Sequence, residues 1–242
     1  MVNKARIALA AIPLMLFLGC GEPSGLISGR ETVSVEESLE YFLYYPPEYP
    51  TKTNEKFPLL LFLHGGGESG ASLEQVRKNG LPKLISEGAE FPFMILAPQN
   101  PHKKQWWNIR AVMALLEKVI SDNRVDRSRI YLTGLSRGGN ACWELATQFP
   151  DTFAAMAVVC GMTPVPYAHW IDRNLPIWVF HGTEDPVIPF SESREMVEKL
   201  QKMGYQVTLT AYEGVGHNSW ERAYKEEGLY DWFLEHSRPD LE

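Results

Sequence analysis

The sequence predicts an α/β protein: a doubly wound, mostly parallel sheet with helices on both faces and no large cap domain. Short apolar runs recur along the chain, helical patterns lie between them, and glycine-rich or polar turns follow several of the runs. Strands that are apolar on both faces are typical of a parallel sheet covered by helices. Their alternation with helices indicates a doubly wound sandwich.

The predicted elements begin with an edge segment. Residues 32–45 alternate polar and apolar side chains, which is typical of an antiparallel edge strand or hairpin exposed on one face. Five apolar runs and a last strand follow, at 59–63, 93–97, 129–133, 154–159, 177–180 and 207–212. Helical patterns cover 110–121, 138–149, 191–203 and 220–236.

Length and charge limit the classes of protein that fit. The chain has 242 residues, of which 45% are hydrophobic, and this is enough for one large domain around a single core. The formal net charge is -7, with basic residues scattered among acidic ones. A nucleic-acid partner is therefore not expected, because phosphate binding needs a concentrated basic face.

Residues 1–20 are predicted to be a targeting segment. Lys4 and Arg6 form a positive start, and the apolar stretch 7–18 is too short to span a membrane comfortably. The segment ends at Cys20 and resembles a bacterial lipoprotein signal, although Phe17 stands where leucine is usual. On that resemblance Cys20 carries lipid, 21–31 is a flexible tether and 32–242 is one catalytic domain, outside the cytoplasm and anchored to a bacterial membrane. The alternative is an ordinary secretory signal that happens to contain a cysteine.

Two cysteines remain in the predicted domain, Cys142 and Cys160. An oxidising compartment permits a disulfide between them, but spacing along the chain does not show that their Cα atoms come close enough. Two buried free thiols are the favoured interpretation, and a disulfide is the alternative.

The strongest chemical signal is Ser136, in the sequence Gly-Leu-Ser-Arg-Gly at 134–138. It follows a predicted buried strand and opens a predicted helix. Small residues around a serine at such a junction allow a sharp turn that exposes the hydroxyl. Ser136 is therefore predicted to be a catalytic nucleophile.

A serine hydroxyl is a weak nucleophile at neutral pH and needs a general base. In this type of sheet the partners follow the serine in the order acid, then histidine. His217 lies after the last strand and is the predicted base. Asp185, in the loop after the preceding strand, is the predicted acid that orients the imidazole, with Glu184 as the alternative.

A family resemblance rests on four segments: 63–67 (LHGGG), 134–139 (GLSRGG), 181–185 (HGTED) and 216–217 (GH). Together they resemble small esterases of the α/β-hydrolase fold. The nearest groups are carboxylesterase/phospholipase, dienelactone hydrolase, polyhydroxybutyrate depolymerase and feruloyl esterase, with predicted peptidases related to prolyl oligopeptidase. The resemblance covers nearly everything after residue 32.

The resemblance also implies an oxyanion hole. One donor is the backbone N–H of Arg137, and the other is that of Gly66, with Gly67 as the alternative. The side chain of Arg137 is expected to form a structural salt bridge, with substrate recognition as the alternative. Trp107, in a strand-end loop before a helix, is predicted to contact substrate at the rim of the site, with packing inside the fold as the alternative. The connection 161–175 is too short for a cap domain, so an open site is expected.

The function predicted from these features is hydrolysis of carboxylic esters through an acyl-enzyme, on small-molecule or polymeric substrates. No metal or organic cofactor is expected, because the chain has neither a Cys/His cluster with zinc spacing nor a dinucleotide-binding glycine motif. Two alternatives remain open: a serine peptidase related to prolyl oligopeptidase, and a non-catalytic, lipid-anchored binding protein on a hydrolase scaffold. The sequence does not indicate an oligomeric state.

Overall fold

A computed structural model describes residues 37–238 of the chain. The predicted signal, Cys20, the tether and the first residues of the predicted edge strand lie outside the described residues. Seven strands form one sheet: β1 Tyr41–Tyr44, β2 Phe57–Leu63, β3 Met94–Pro98, β4 Val125–Leu135, β5 Ala155–Val159, β6 Ile177–Gly182 and β7 Val207–Tyr212.

The order of strands in the sheet is β1-β3-β2-β4-β5-β6-β7. β1 pairs antiparallel with β3, and all other pairs are parallel. Because the parallel strands point the same way, their carboxyl ends meet at one edge. The loops after β2, β4, β6 and β7 carry the predicted site residues, so this edge is where the site is built.

Six helices flank the sheet: α1 Gly80–Ser86, α2 Ile109–Asp122, α3 Arg137–Gln148, α4 Phe190–Lys202, α5 Trp220–Ala223 and α6 Leu229–Leu234. Two short 3-10 helices, Leu73–Lys78 and Val165–His169, lie in connections. The second is the only helix in the connection 161–175, which therefore holds no cap domain.

The core consists of two apolar layers, one on each face of the sheet. Successive residues of a strand point to opposite faces, and β2 shows this directly. Its residues Leu59, Leu61 and Leu63 belong to one layer, whereas Leu60 and Phe62 belong to the other. Burial on both faces explains why β2 is a continuous apolar run, and the predicted doubly wound α/β sheet is confirmed.

The structure differs from the prediction at the C-terminal helix. The apolar pattern over 220–236 predicts one helix, but two short helices, α5 and α6, are present. Gly228 lies between them with a φ of 84°. This left-handed conformation cannot continue a right-handed helix and favours glycine. Helix α1 is also present where no helix was predicted.

Cys142, in α3, and Cys160, after β5, are both buried free thiols, as the favoured interpretation predicts. Between residues 37 and 238, the structure has no helix with the length and apolar character required to cross a bilayer.

Candidate active site

Ser136 lies between β4 and α3, on a sharply turned backbone. Its φ is 52° and its ψ is −119°, a conformation that non-glycine residues rarely adopt. The turn is tight because β4 and α3 approach each other closely: a Cβ on Gly134 would lie 2.5 Å from the carbonyl oxygen of Gly138. The serine is thus held where its side chain faces the carboxyl edge of the sheet, and it is partly exposed.

Gly138 gives a stability prediction. A Cβ there would lie 2.0 Å from the carbonyl oxygen of Leu63, and the backbone of buried β2 cannot move aside cheaply. Gly138→Ala is expected to lower the free energy of unfolding by about 3 kcal/mol or more, measured by urea denaturation. Gly67→Ala is the matched control, because a Cβ at position 67 has no neighbour within 4 Å. Equal losses for the two variants would contradict the close approach of α3 to β2.

The structure brings Ser136, His217 and Asp185 together, although 81 residues separate the first two. The Nε2 of His217 lies 2.9 Å from the Oγ of Ser136, and its Nδ1 lies 2.7 Å from the Oδ2 of Asp185. With the carboxylate ionised, Nδ1–H donates to Asp185, and Nε2 is left to accept the hydroxyl proton of Ser136. The side chain of His217 is 19% exposed.

The carboxylate of Asp185 is buried and held by several donors. Its Oδ1 accepts hydrogen bonds from the backbone N–H groups of Val187 and Ile188, at 2.8 and 3.0 Å. His181 Nε2 lies 3.2 Å from Oδ2. Burial opposes ionisation, but the hydrogen bonds from His217 and the two backbone donors outweigh it and lower the pKa of Asp185. The carboxylate is therefore charged at neutral pH and fixed in orientation.

His181 supports the loop that carries Asp185 from the interior of the protein. It is fully buried, and its Nε2 also lies 2.9 Å from the backbone oxygen of Ile188. Its Nδ1 lies 2.7 Å from the hydroxyl of Ser193 in α4. Nε2–H therefore donates to the loop and Nδ1 accepts from Ser193. This agrees with a structural rather than catalytic role for His181.

The glycine turn after β2 lies beside the nucleophile. A Cβ on Gly65 would lie 3.4 Å from the Cβ of Ser136. Gly66 uses its carbonyl oxygen to accept from Ser69 N–H at 3.3 Å. Arg137 is the first residue of α3, where a backbone N–H has no partner within the helix. Gly66 and Arg137 thus belong to the two segments that meet at Ser136.

His64 braces this turn from the buried side. Its Nε2 accepts the backbone N–H of Asn100 at 3.1 Å, so Nδ1–H donates to the Gly65 carbonyl at 2.7 Å. Burial is the main cause that lowers the pKa of His64, and the ring is neutral at neutral pH. A neutral ring keeps both hydrogen bonds in place.

The prediction for Trp107 needs correction. Only 5% of its surface is exposed, its Nε1–H donates to the His64 carbonyl at 3.3 Å, and its ring packs on the His64 ring. Trp107 therefore supports the glycine turn from the core. The neighbouring Trp106 is 61% exposed and is the ring of this pair that faces solvent. Adjacent residues at the start of a helix point in different directions, so the Trp-Trp pattern alone does not tell the two apart.

The side chain of Arg137 also differs from its prediction. Among residues 37–238 it forms no salt bridge. Its Nη1 instead donates to the carbonyl oxygens of Lys103 and Gln105, at 2.9 and 3.2 Å. A Cβ on Gly66 would lie 2.9 Å from the Cζ of Arg137. The guanidinium thus packs directly over the glycine turn, beside Trp106.

A polar bridge that the motifs do not reveal connects the glycine turn with the histidine loop. The buried carboxylate of Glu68 accepts a hydrogen bond from Asn79, whose Oδ1 accepts from Trp220 Nε1–H at 3.2 Å. The ring of Trp220 stands perpendicular to that of His217, with centroids 5.3 Å apart. The sequence signal for the contact between Trp220 and His217 is their spacing of three residues. The link of Trp220 to Glu68 depends on tertiary packing.

The two buried histidines predict how stability responds to acid. Burial lowers the pKa values of both His64 and His181, whereas an unfolded histidine titrates near pH 6.5. Below about pH 6.5 the unfolded chain takes up protons that the folded chain does not. The free energy of unfolding is therefore expected to fall as the pH drops from about 6.5 towards the lowered values. Below about pH 4, protonation of Asp185 adds a further loss.

This expectation is tested by urea unfolding at a series of pH values between 5 and 8. His64→Gln should flatten the dependence, whereas His102→Gln, at a half-exposed side chain, serves as the control. A wild-type stability that stays constant between pH 8 and 5 would show that neither ring must remain neutral in the folded protein.

Comparison with known proteins agrees with the fold. A solved thermostable esterase superposes with a TM-score of 0.72 and 32% identity, covering 83% of this chain and 60% of that one. The acylaminoacyl peptidase of Pyrococcus horikoshii superposes with a TM-score of 0.65 at 18% identity, over 86% of this chain and 41% of its own. Because its identity is only 18%, the second superposition bears on the fold alone. The fold is that of the α/β-hydrolases.

Residues 96–228, more than half of the chain, match the dienelactone hydrolase family, and the chain belongs to that family. A probable feruloyl esterase C from Aspergillus niger is 29% identical over 218 residues, which cover 84% of this chain and 75% of that protein. An esterase from Nocardia uniformis subsp. tsuyamanensis is 28% identical over 178 residues, 67% of this chain. The chain spans 50% of that relative's length.

Proposed function

We propose that the protein hydrolyses carboxylic esters by acyl transfer, with Ser136 as nucleophile, His217 as general base and Asp185 as the orienting acid. The observation that carries the proposal is the continuous hydrogen-bonded path Asp185–His217–Ser136, with distances of 2.7 and 2.9 Å. Relatives and structural neighbours that are named esterases support the same chemistry.

In the proposed mechanism, Ser136 Oγ attacks the ester carbonyl while His217 Nε2 takes its proton. Asp185 stabilises the imidazolium that forms. The backbone N–H groups of Arg137 and Gly66 bind the tetrahedral oxyanion, and each such donor typically contributes about 3 kcal/mol to the transition state. His217 then protonates the leaving alcohol, and water repeats the sequence on the acyl-enzyme.

The substrates proposed are small-molecule or polymeric esters that reach an uncapped site. The connection 161–175 holds one short 3-10 helix, and Trp106 offers an exposed ring next to Arg137. Relatives named feruloyl esterase make esters of aromatic acids the first substrates to test. A panel that varies acyl length and leaving alcohol would define the preference.

The test compares p-nitrophenyl acetate with an aminoacyl-proline p-nitroanilide, together with labelling by a fluorophosphonate probe. We expect ester hydrolysis, weak or no amide hydrolysis, and labelling that disappears in Ser136→Ala. Preferential cleavage of the amide would favour the peptidase alternative. Absence of labelling in the folded wild type would instead favour a non-catalytic binding protein.

We further propose that residues 1–20 direct the protein out of the cytoplasm and that Cys20 becomes its lipidated N-terminus. The positive start, the short apolar stretch and the cysteine that follows support this proposal. In bacterial cells the full chain is expected to incorporate labelled palmitate and to sediment with membranes, and Cys20→Ala should abolish the labelling. Labelling that survives the substitution would contradict it.

A further inference from the structure

Cys160 is a buried thiol that the proposed mechanism does not use. It follows β5 directly, with a φ of 40°. Among the described residues, Cys160 and Ser136 are the two non-glycine residues with a positive φ. This unusual conformation places the Cys160 side chain under the histidine loop, where Sγ lies 3.4 Å from the backbone oxygen of His217.

The Cys160 thiol belongs to a compact set of metal-binding groups. Its Sγ, a carboxylate oxygen of Asp185 and a ring nitrogen of His217 all lie within 4.8 Å of one another. The hydroxyl of Ser219 is fully buried beside the thiol, and apart from that thiol it has no hydrogen-bond partner among residues 37–238. A thiolate, an imidazole and a carboxylate are the ligands that Zn²⁺ and similar cations prefer.

We propose that a thiophilic divalent cation, Zn²⁺ or Cd²⁺, binds Cys160 Sγ, His217 Nδ1 and the carboxylate of Asp185, and inhibits the enzyme by doing so. The charges suit a buried position: one thiolate and one carboxylate balance the two charges of the cation. The buried oxygen of Ser219 or a water molecule completes four-fold coordination.

The proton balance explains why binding inhibits. The thiol of Cys160 loses its proton to solvent when the sulfur–metal bond forms. The cation replaces the proton on His217 Nδ1, and that proton moves to Nε2, so the imidazole stays neutral. Nε2–H can no longer accept the hydroxyl proton of Ser136, and the general base is lost. One proton is released for each cation bound.

Distances show that the cation and the working triad exclude each other. Nδ1 of His217 and Oδ2 of Asp185 are 2.7 Å apart, whereas two nitrogen or oxygen ligands of a tetrahedral zinc lie about 3.4 Å apart. Binding must therefore open this hydrogen bond. The partly exposed ring of His217 can turn to allow it, so the cation acts as an inhibitor rather than as a structural or catalytic metal.

The test uses the full chain with Cys20→Ala, so that two thiols remain, and measures p-nitrophenyl acetate hydrolysis against added Zn²⁺ or Cd²⁺ after chelator treatment. The parent protein should be inhibited and recover on addition of chelator. Cys160→Ser should raise the half-inhibiting concentration by at least about tenfold, while Cys142→Ser, at the other buried thiol, should behave like the parent. Equal inhibition of all three proteins would overturn the proposal.

A second readout does not depend on activity. The inference rests on the proposed function only in expecting that hydrolysis is lost. Cation binding itself is measured by the ultraviolet charge-transfer band of a cadmium thiolate and by proton release. In the Cys20→Ala chain, Ser136→Ala with Cys142→Ser leaves Cys160 as the remaining thiol and should show the band and release one proton per Cd²⁺. Fluorophosphonate labelling without metal confirms that Cys160→Ser is folded. Absence of the band would refute the site even if ester hydrolysis is demonstrated.

Discussion

Ser136→Ala is expected to lower kcat for p-nitrophenyl acetate by about 10⁴- to 10⁶-fold, a range based on loss of the nucleophile in other serine hydrolases. The reason is that His217 Nε2, 2.9 Å from the serine hydroxyl, then has no nucleophile to deprotonate. KM should change little, because the groups that bind the ester remain. Steady-state kinetics with enzyme free of contaminating esterases is the measurement.

Two controls accompany this variant. Ser121→Ala, at an exposed serine of α2, should keep full activity, and Ser136→Ala itself should unfold at the same temperature as the wild type or slightly above it. A residual activity above about one hundredth of the wild type would mean that another group performs the attack.

Asp185→Asn is expected to lower kcat by about 10³- to 10⁴-fold, as tautomer changes do in serine hydrolases of other folds. The asparagine oxygen can still accept from the backbone N–H groups of Val187 and Ile188, so the loop keeps its shape. Its amide N–H₂ then faces His217 Nδ1, which must accept instead of donate. The ring proton moves to Nε2, and His217 can no longer act as a base.

The control for this prediction is Glu184→Gln, because Glu184 is the adjacent acid and its side chain is exposed. It should retain activity within about twofold of the wild type, as is usual for surface substitutions. Near-normal kcat for Asp185→Asn together with a large loss for Glu184→Gln would exchange the roles of the two acids.

The sequence predicted the sheet because its central strands are buried on both faces and therefore are continuous apolar runs. The run 59–63 contributes side chains to both apolar layers. In a domain of this size, a short run that is apolar on both faces fits best as a central strand of a parallel sheet. The triad was predicted for a related reason: strand ends in a parallel sheet share one edge, so chain order alone brings positions 136, 185 and 217 together.

Trp107 was predicted wrongly, and two other features were not predicted at all, because they depend on contacts between distant segments. Trp106 and Trp107 are identical in type and adjacent, and Trp107 is the buried one because it donates to the His64 carbonyl and packs on the His64 ring. Glu68 and Trp220 are linked through Asn79 across more than 140 residues. Cys160 gains its place under His217 from a backbone conformation that no local pattern indicates.

The contact between Arg137 and Gly66 has a consequence for redesign. Arg137 is the expected source of one oxyanion donor, and its side chain covers Gly66, the expected source of the other. The main-chain carbonyls of Lys103 and Gln105 hold that side chain in place. The surface loop at 102–105 thus holds the side chain that covers the proposed oxyanion site. Loop exchange aimed at widening substrate range would change turnover as well, unless the new loop returns two carbonyl groups to the same guanidinium.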